Sequence, residues 1–338
     1  MLRGIEIALP GRPMNVATAP GSYADRAFRA RAGISPVKRA ELVPGLRATP
    51  AHDLHFHGGR TIAHLGFVNY YIGGDASWQR SDIARIDRAL AAAMADERLE
   101  NVMTQYFLAR PTTTFRGSRV LAGPPPARMS QGDVEALVRR LHGEGVLAEL
   151  DLSTSVLDIL LPRGTILDDE RTPSKGERQD SARSDPRGRD ARPTGEEADS
   201  LHGLGGYHGS VHIGHETIYY AVGVYSERRD GRSNGIPVFD EPWKNVVATF
   251  YHELNEARTD PDVQDVIDGA PMSRLGWTSR QGEECGDFPV VEARPLSLVF
   301  REVELARGGE KVPVQLQYSN AVHGPEGPVE SARTKAAG

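Results

Sequence analysis

The stretch Tyr251-His252-Glu253-Leu254-Asn255-Glu256-Ala257-Arg258-Thr259-Asp260-Pro261 decides the fold and the chemistry expected of this chain. Trp243, Val246, Val247, Phe250, Leu254 and Ala257 recur at three- and four-residue steps before and within it, which is the period of an α-helix. Pro242 suits the first helical turn, and Asp240 or Glu241 suits its positive end. Asp260-Pro261 closes the helix, because the residue before a proline avoids helical backbone angles. At about 100° per residue, the apolar stripe faces one way and His252 and Glu256 lie on nearly the opposite face. Their four-residue spacing makes the two side chains converge, with Glu253 beside them.

This is the pattern of a zincin-like metallopeptidase helix, H-E-x-x-H, with Glu256 in place of the second histidine. A carboxylate ligates zinc at about 2.0–2.2 Å, so the substitution keeps a workable donor set. The harder oxygen donor also leaves room for Mn2+ or Ca2+.

The whole chain bounds what surrounds this helix. Its 338 residues hold ample core, and the net charge of −6 is modest and mixed in sign. No basic face is concentrated enough to suggest a nucleic-acid partner. No run of about 18 apolar residues exists, so no membrane span is expected. Met1-Leu2-Arg3-Gly4-Ile5-Glu6-Ile7 lacks the apolar core of a signal peptide, so the chain as written is expected to be cytoplasmic. Cys285 is the only cysteine, which excludes an intrachain disulfide and a cysteine-rich zinc site.

Residues 1–53 carry scattered Pro, Gly and Arg without a sustained period and are expected to form an N-terminal extension. A strand is expected over Thr61–Ile72, then helices from Ser81 to Met94 and from Glu97 to Leu108. A short strand follows at Arg119–Ala122, and Ser130 with Asp133 forms a capping box for a helix ending near His142. Val156–Leu161 reads as another strand. Residues 163–200 are dense in charge, Pro, Ser and Gly and nearly free of large apolar side chains, the signature of a disordered insertion. Ser210–Ile213 and Thr217–Tyr225 read as a hairpin, Asp262–Ile267 as a short helix, and Leu296–Glu304 with Val312–Tyr318 as closing strands. The alternation predicts an α/β (α+β) class: a mixed sheet flanked by helices in one domain over residues 54–322, with a flexible tail at 323–338.

A catalytic zinc takes three protein ligands and keeps a position for water. His252 and Glu256 supply two. The acidic loop Gly282-Glu283-Glu284-Cys285-Gly286-Asp287 lies about 30 residues on, where other metallopeptidases bring in a carboxylate. Glu284 is the first choice for the third ligand and Asp287 the second. Asp260 is a candidate to orient His252. Glu253 is the candidate general base, and His208, after a glycine run, a candidate ligand or transition-state donor. His55 and His57 have the spacing of a ligand pair on a strand, but a loop-edge pair beside glycines explains them as well.

Four segments together resemble the phosphate-induced protein / EXORDIUM-like family. They are His57-Gly58-Gly59 with its strand and Trp78, Gly206-Tyr207-His208, His252-Glu253-Leu254 with Glu256 and Thr259-Asp260-Pro261, and Glu284 with Gly286-Asp287. The resemblance runs from about His55 to Asn320 and implies a secreted protein linked to growth control, with the H-E-L-x-E helix as a variant or relict peptidase site. The chain departs from the family in lacking its cysteine-rich loops. The expectation that follows is a zinc-dependent, peptidase-like hydrolase using metal-activated water, with a peptide or cell-wall-related substrate. The alternative is a noncatalytic extracellular binding or signalling protein in which the metal is structural, with Tyr207, Trp243 and Trp277 as aromatic contacts.

Overall fold

The computed structural model describes residues 42–168 and 199–333. Most of the expected N-terminal extension, the body of the charged insertion and the last residues of the expected tail lie outside the described residues. In chain order the main elements are β1 (His64–Tyr71), α1 (Arg80–Met94), α2 (Glu97–Met103), β2 (Thr112–Val120), α3 (Gln131–Gly143), β3 (Ser155–Leu160), β4 (Gly206–Ile213), β5 (Glu216–Gly223), α4 (Pro242–Thr259), α5 (Val263–Ile267), α6 (Asp287–Glu292), β6 (Phe300–Glu304) and β7 (Lys311–Gln315). Five strands form one mixed sheet in the order β2-β1-β3-β5-β4. The first four run parallel, and β4 closes the edge antiparallel to β5. The expected α/β class, a mixed sheet flanked by helices, is the observed one.

Parallel strands covered on both faces read as unbroken apolar runs, and β3 is buried along its whole length. Its alternate residues Val156 and Leu160 pack with α1 and α4, while Leu157 and Ile159 pack with α3. The same pleat carries Asp158, a lone acid within that run, onto the α4 side. On β5, Tyr219 and Ala221 face α4, and Ile218 and Val222 face α3. His208 pairs with Ala221 across the β4–β5 ladder, so it stands on the α4 side as well. Pleat and pairing therefore decide which residues α4 can meet.

α4 begins as expected with Pro242 in its first turn and ends at Thr259 before Asp260-Pro261. Asn245 fixes its entry: the side-chain oxygen accepts the N–H groups of Val238 and Phe239, and its amide donates to the carbonyls of Ser226 and Phe239. Phe250 and Leu254 are fully buried in the core shared with α1, worth about 1.5–3 kcal/mol each. The opposite face, polar in sequence, is buried too. It is covered by β4, by the loop before α6 and by β7, which places its carboxylates among protein groups and away from bulk water.

Several expectations are corrected. The strand expected at Arg119–Ala122 is the end of β2, which starts at Thr112. As an edge strand, β2 alternates exposed and half-buried residues and so lacks an apolar run. Its ladder with β1 slips at a bulge where Gly117 takes a φ of 101°. The expected second helix splits into α2 and a 3-10 turn at Thr104–Tyr106. The N-cap position of α1 is Gln79 rather than Ser81, and its side chain makes no capping hydrogen bond. The Ser130–Asp133 capping box is present. Leu296–Leu298 is a 3-10 turn, and the closing strands reduce to the hairpin β6–β7. The tail expected to be flexible from 323 packs as far as it is described. Gly324–Pro325 pair with Tyr318–Ser319, and Arg333 is buried against Glu326. Leu42 bridges to Glu326 and Val43 is buried, so the end of the expected extension joins the domain. No helix among the described residues is long and apolar enough to cross a membrane.

Candidate metal centre

Three parts of the chain converge on the buried polar face of α4. The helix supplies His252, Glu253 and Glu256. Strand β4 supplies His208, and the loop entering α6 supplies Glu284 and Asp287. Gly206, in the glycine run before His208, permits close approach at β4. A Cβ on Gly206 would lie 2.5 Å from the Val222 carbonyl oxygen and 3.1 Å from Glu253 Oε1. A side chain there would hold α4 off the sheet.

The loop is tied down by its own polar groups. Asp287 Oδ2 accepts the Glu284 N–H at 2.9 Å, and Glu256 Oε1 accepts the Gly286 N–H at 2.8 Å. Gly286 presses against the His252 ring: an added Cβ would sit 2.4 Å from Nδ1. Cys285 points away from these carboxylates, its thiol donating to Gln317 Oε1 at 3.2 Å.

Two trios of donor atoms result, each within a 4.8 Å span: His208, Glu256 and Glu284, and His252, Glu256 and Asp287. These buried His/Glu/Asp groups could hold a metal ion. The trio expected from sequence, His252, Glu256 and Glu284, is split between them. Glu284 turns to β4, where its two oxygens lie 3.2 and 3.1 Å from His208 Nε2. Asp287, the second choice, is the loop acid that reaches the His252 side.

Hydrogen-bond polarity fixes the state of His252. Gln315 on β7 donates its amide to the carbonyls of Gly286 and Leu316, so its Oε1 is an acceptor. That oxygen, which also takes a bond from Gln317, lies 3.0 Å from His252 Nδ1, so Nδ1 carries the proton. Nε2 then faces Glu256 Oε2 at 3.0 Å and Glu253 Oε1 at 3.9 Å. A neutral ring would set its lone pair against two carboxylates. A proton shared between the ring and these acids, or a cation between them, relieves that opposition. Gln315 thus holds His252 in the manner expected of Asp260. Asp260 instead accepts the Gly276 N–H at 2.7 Å; burial raises its carboxyl to about 6, with the Gly276 N–H and His208 opposing.

Burial opposes charge on His252, but Glu256 and then Glu253 outweigh it and hold the imidazole pKa well above its usual value. Burial lifts Glu253 to about 8, with His252 opposing and Glu256 reinforcing. Burial also raises Glu284 well above the carboxylate range, helped by Glu256 and Asp260, and raises Asp287 to about 6. Glu256 alone is lowered: His252, His208 and the Gly286 N–H overcome its burial. Among the described residues, no Lys or Arg forms an ion pair with these four carboxylates.

Other candidates fall elsewhere. His57 Nε2 bonds Thr278 Oγ1 at 2.9 Å, and His55 pairs with Thr278 in a short ladder, so neither joins the cluster. Trp277 is core, donating to the Tyr106 carbonyl. Trp243 sits in the first turn of α4 against Arg85 and Lys244. Sequence reasoning missed Gln315 and Asp158. Asp158 is fully buried, neither of its oxygens has a hydrogen-bond partner, and Glu253 is among the charges acting on it. A lone acid or amide within an apolar strand was the available signal for both.

Compared with protein-family models, curated proteins and solved structures, the chain matches none.

Proposed function

We propose that the protein is a metal-dependent hydrolase acting on peptide bonds, with Zn2+ as its ion and Mn2+ or Ca2+ as alternatives. The observation that carries this is Glu253. It adjoins the His252–Glu256–Asp287 trio, and no hydrogen bond holds its carboxylate among the described residues. A purely structural ion needs the trio and has no use for an acid placed there. When bound, the cation supplies Lewis-acid polarisation of a carbonyl oxygen and makes water more acidic.

The chain's own groups do the rest. His252, Glu256 and Asp287 hold the ion, and Gln315 keeps the His252 lone pair aimed at it. Glu253 takes the proton from the attacking water and returns it to the leaving nitrogen as the C–N bond breaks. An edge strand leaves half its backbone groups turned away from the sheet. β4, which carries His208, is an edge strand of the sheet, though its residues 208–211 are buried.

The test is elemental analysis of the full chain purified without chelator, together with Glu253→Gln. We expect bound zinc in both proteins and a loss of about 10²–10⁴-fold in peptide hydrolysis in the variant. Metal-free protein, or a variant that hydrolyses as the wild type does, contradicts the proposal. A second reading is favoured by burial: Glu253 and Glu256 are only 4 and 3 % exposed. In it the ion is structural and the protein is a noncatalytic binding or signalling protein of the EXORDIUM-like kind. Bound metal with no hydrolysis by the wild type supports that reading.

A further inference from the structure

We propose that this centre takes two divalent cations bridged by Glu256, with His252 and Asp287 on one and His208 and Glu284 on the other. The inference rests on the metal-binding reading above and extends it to residues that a single ion leaves unexplained. Three observations carry it.

The first is span. Donors around one ion at about 2.1 Å lie no more than about 4.2 Å apart. The five donors here form two overlapping trios within 4.8 Å and not one group, and Glu256 is the shared member. Each trio has the same composition: one imidazole, one loop carboxylate and Glu256.

The second is charge. Glu256 shares one donor trio with Glu284 and another with Asp287, and among the described residues neither these acids nor Glu253 pairs with Lys or Arg. In a dry site, ionisation of these acids calls for cations beside them. A second ion beside His208 and Glu284 adds the compensation that a single ion at His252 and Asp287 does not supply there.

The third is the surroundings of His208. Its Nε2 faces both oxygens of Glu284 at nearly equal distance. The other ring nitrogen, Nδ1, is buried without a hydrogen-bond partner. With the proton on Nδ1, the Nε2 lone pair points at the Glu284 carboxylate, where a cation held by Glu284 would lie.

The experiment strips the full chain of metal, reloads it with Mn2+, and reads both the bound Mn2+ per chain and the electron paramagnetic resonance spectrum. Carboxylate-bridged ions sit about 3.5–4 Å apart and are exchange-coupled. The wild type is expected to bind two Mn2+ with a coupled spectrum. Glu284→Gln and Asp287→Asn, which preserve shape, should each bind one with the spectrum of an isolated ion. Circular dichroism of each metal-free variant establishes that it is folded. One Mn2+ in the wild type overturns the two-ion centre and leaves the hydrolase proposal standing. None overturns both. Two uncoupled ions overturn the bridge, and a folded Glu284→Gln that still binds two overturns the role given to Glu284.

Discussion

Gly286→Ala tests His252 as a ligand without touching any donor atom. Gly286 has φ −96° and ψ −26°, angles an alanine adopts freely, so the backbone contributes no strain. The new Cβ would lie 2.4 Å from His252 Nδ1, 2.6 Å from Cε1 and 2.8 Å from Cγ, where ordinary contact begins near 3.4 Å. The ring must therefore retreat by about 1 Å, because carbon contacts are optimal only at about 3.5–4.0 Å. That movement breaks the 3.0 Å bond to Gln315 and takes Nε2 outside the tolerance of about 0.2 Å on a metal–ligand distance. Loss of such a supporting contact weakens metal binding by about 10–100-fold. This corresponds to about 1.4–2.8 kcal/mol. The assay is Zn2+ competition with a chromophoric chelator, with the thermal melt of the metal-free variant recorded beside it. Overpacking is expected to cost the metal-free fold about 1–3 kcal/mol. A folded Gly286→Ala chain with the wild-type zinc dissociation constant would refute the assignment of His252.

Removing metal should destabilise the protein near neutral pH. With free ion at about 100 times its dissociation constant, binding adds about 2.7 kcal/mol. Chelation should therefore lower the melting temperature by about 5–10 °C, and an unchanged melt counts against a cation among these residues. Away from the centre, burial lifts the Glu100 carboxyl from 4.5 to about 7, with Arg258 opposing. The folded chain holds that proton more tightly than the unfolded chain does. The stability it contributes is complete below about pH 4.5 and is lost as pH rises through about 7. Glu100→Gln is expected to raise the melting temperature at pH 8 and leave it nearly unchanged at pH 4, and a variant less stable at pH 8 would contradict this.

What could be seen from sequence was what is local. The bounds of α4 follow from its periodicity, Pro242 and Pro261, all within one segment. His252 and Glu256 converge because a helix brings residues four apart together, whatever else the fold does. The start of β2 escaped detection because an edge strand needs no apolar run, and Thr112-Thr113-Thr114 resembles a loop. The division of the loop acids was out of reach for a different reason. Glu284 and Asp287 are three residues apart, and only the pleat of β4 and the turn before α6 decide which of them meets His208. Gln315 could have been flagged as an amide following Val312-Pro313-Val314, but its partner lies 63 residues away, across the helix–hairpin contact.

The central claim is that His252 and Glu256 bind a cation together. It is tested most directly by anomalous diffraction at the zinc edge from crystals of the zinc-loaded chain. The account predicts an anomalous peak about 2.0–2.2 Å from His252 Nε2 and from a Glu256 carboxylate oxygen. A peak elsewhere, with His252 still paired directly to Glu256 as an imidazolium, would contradict it.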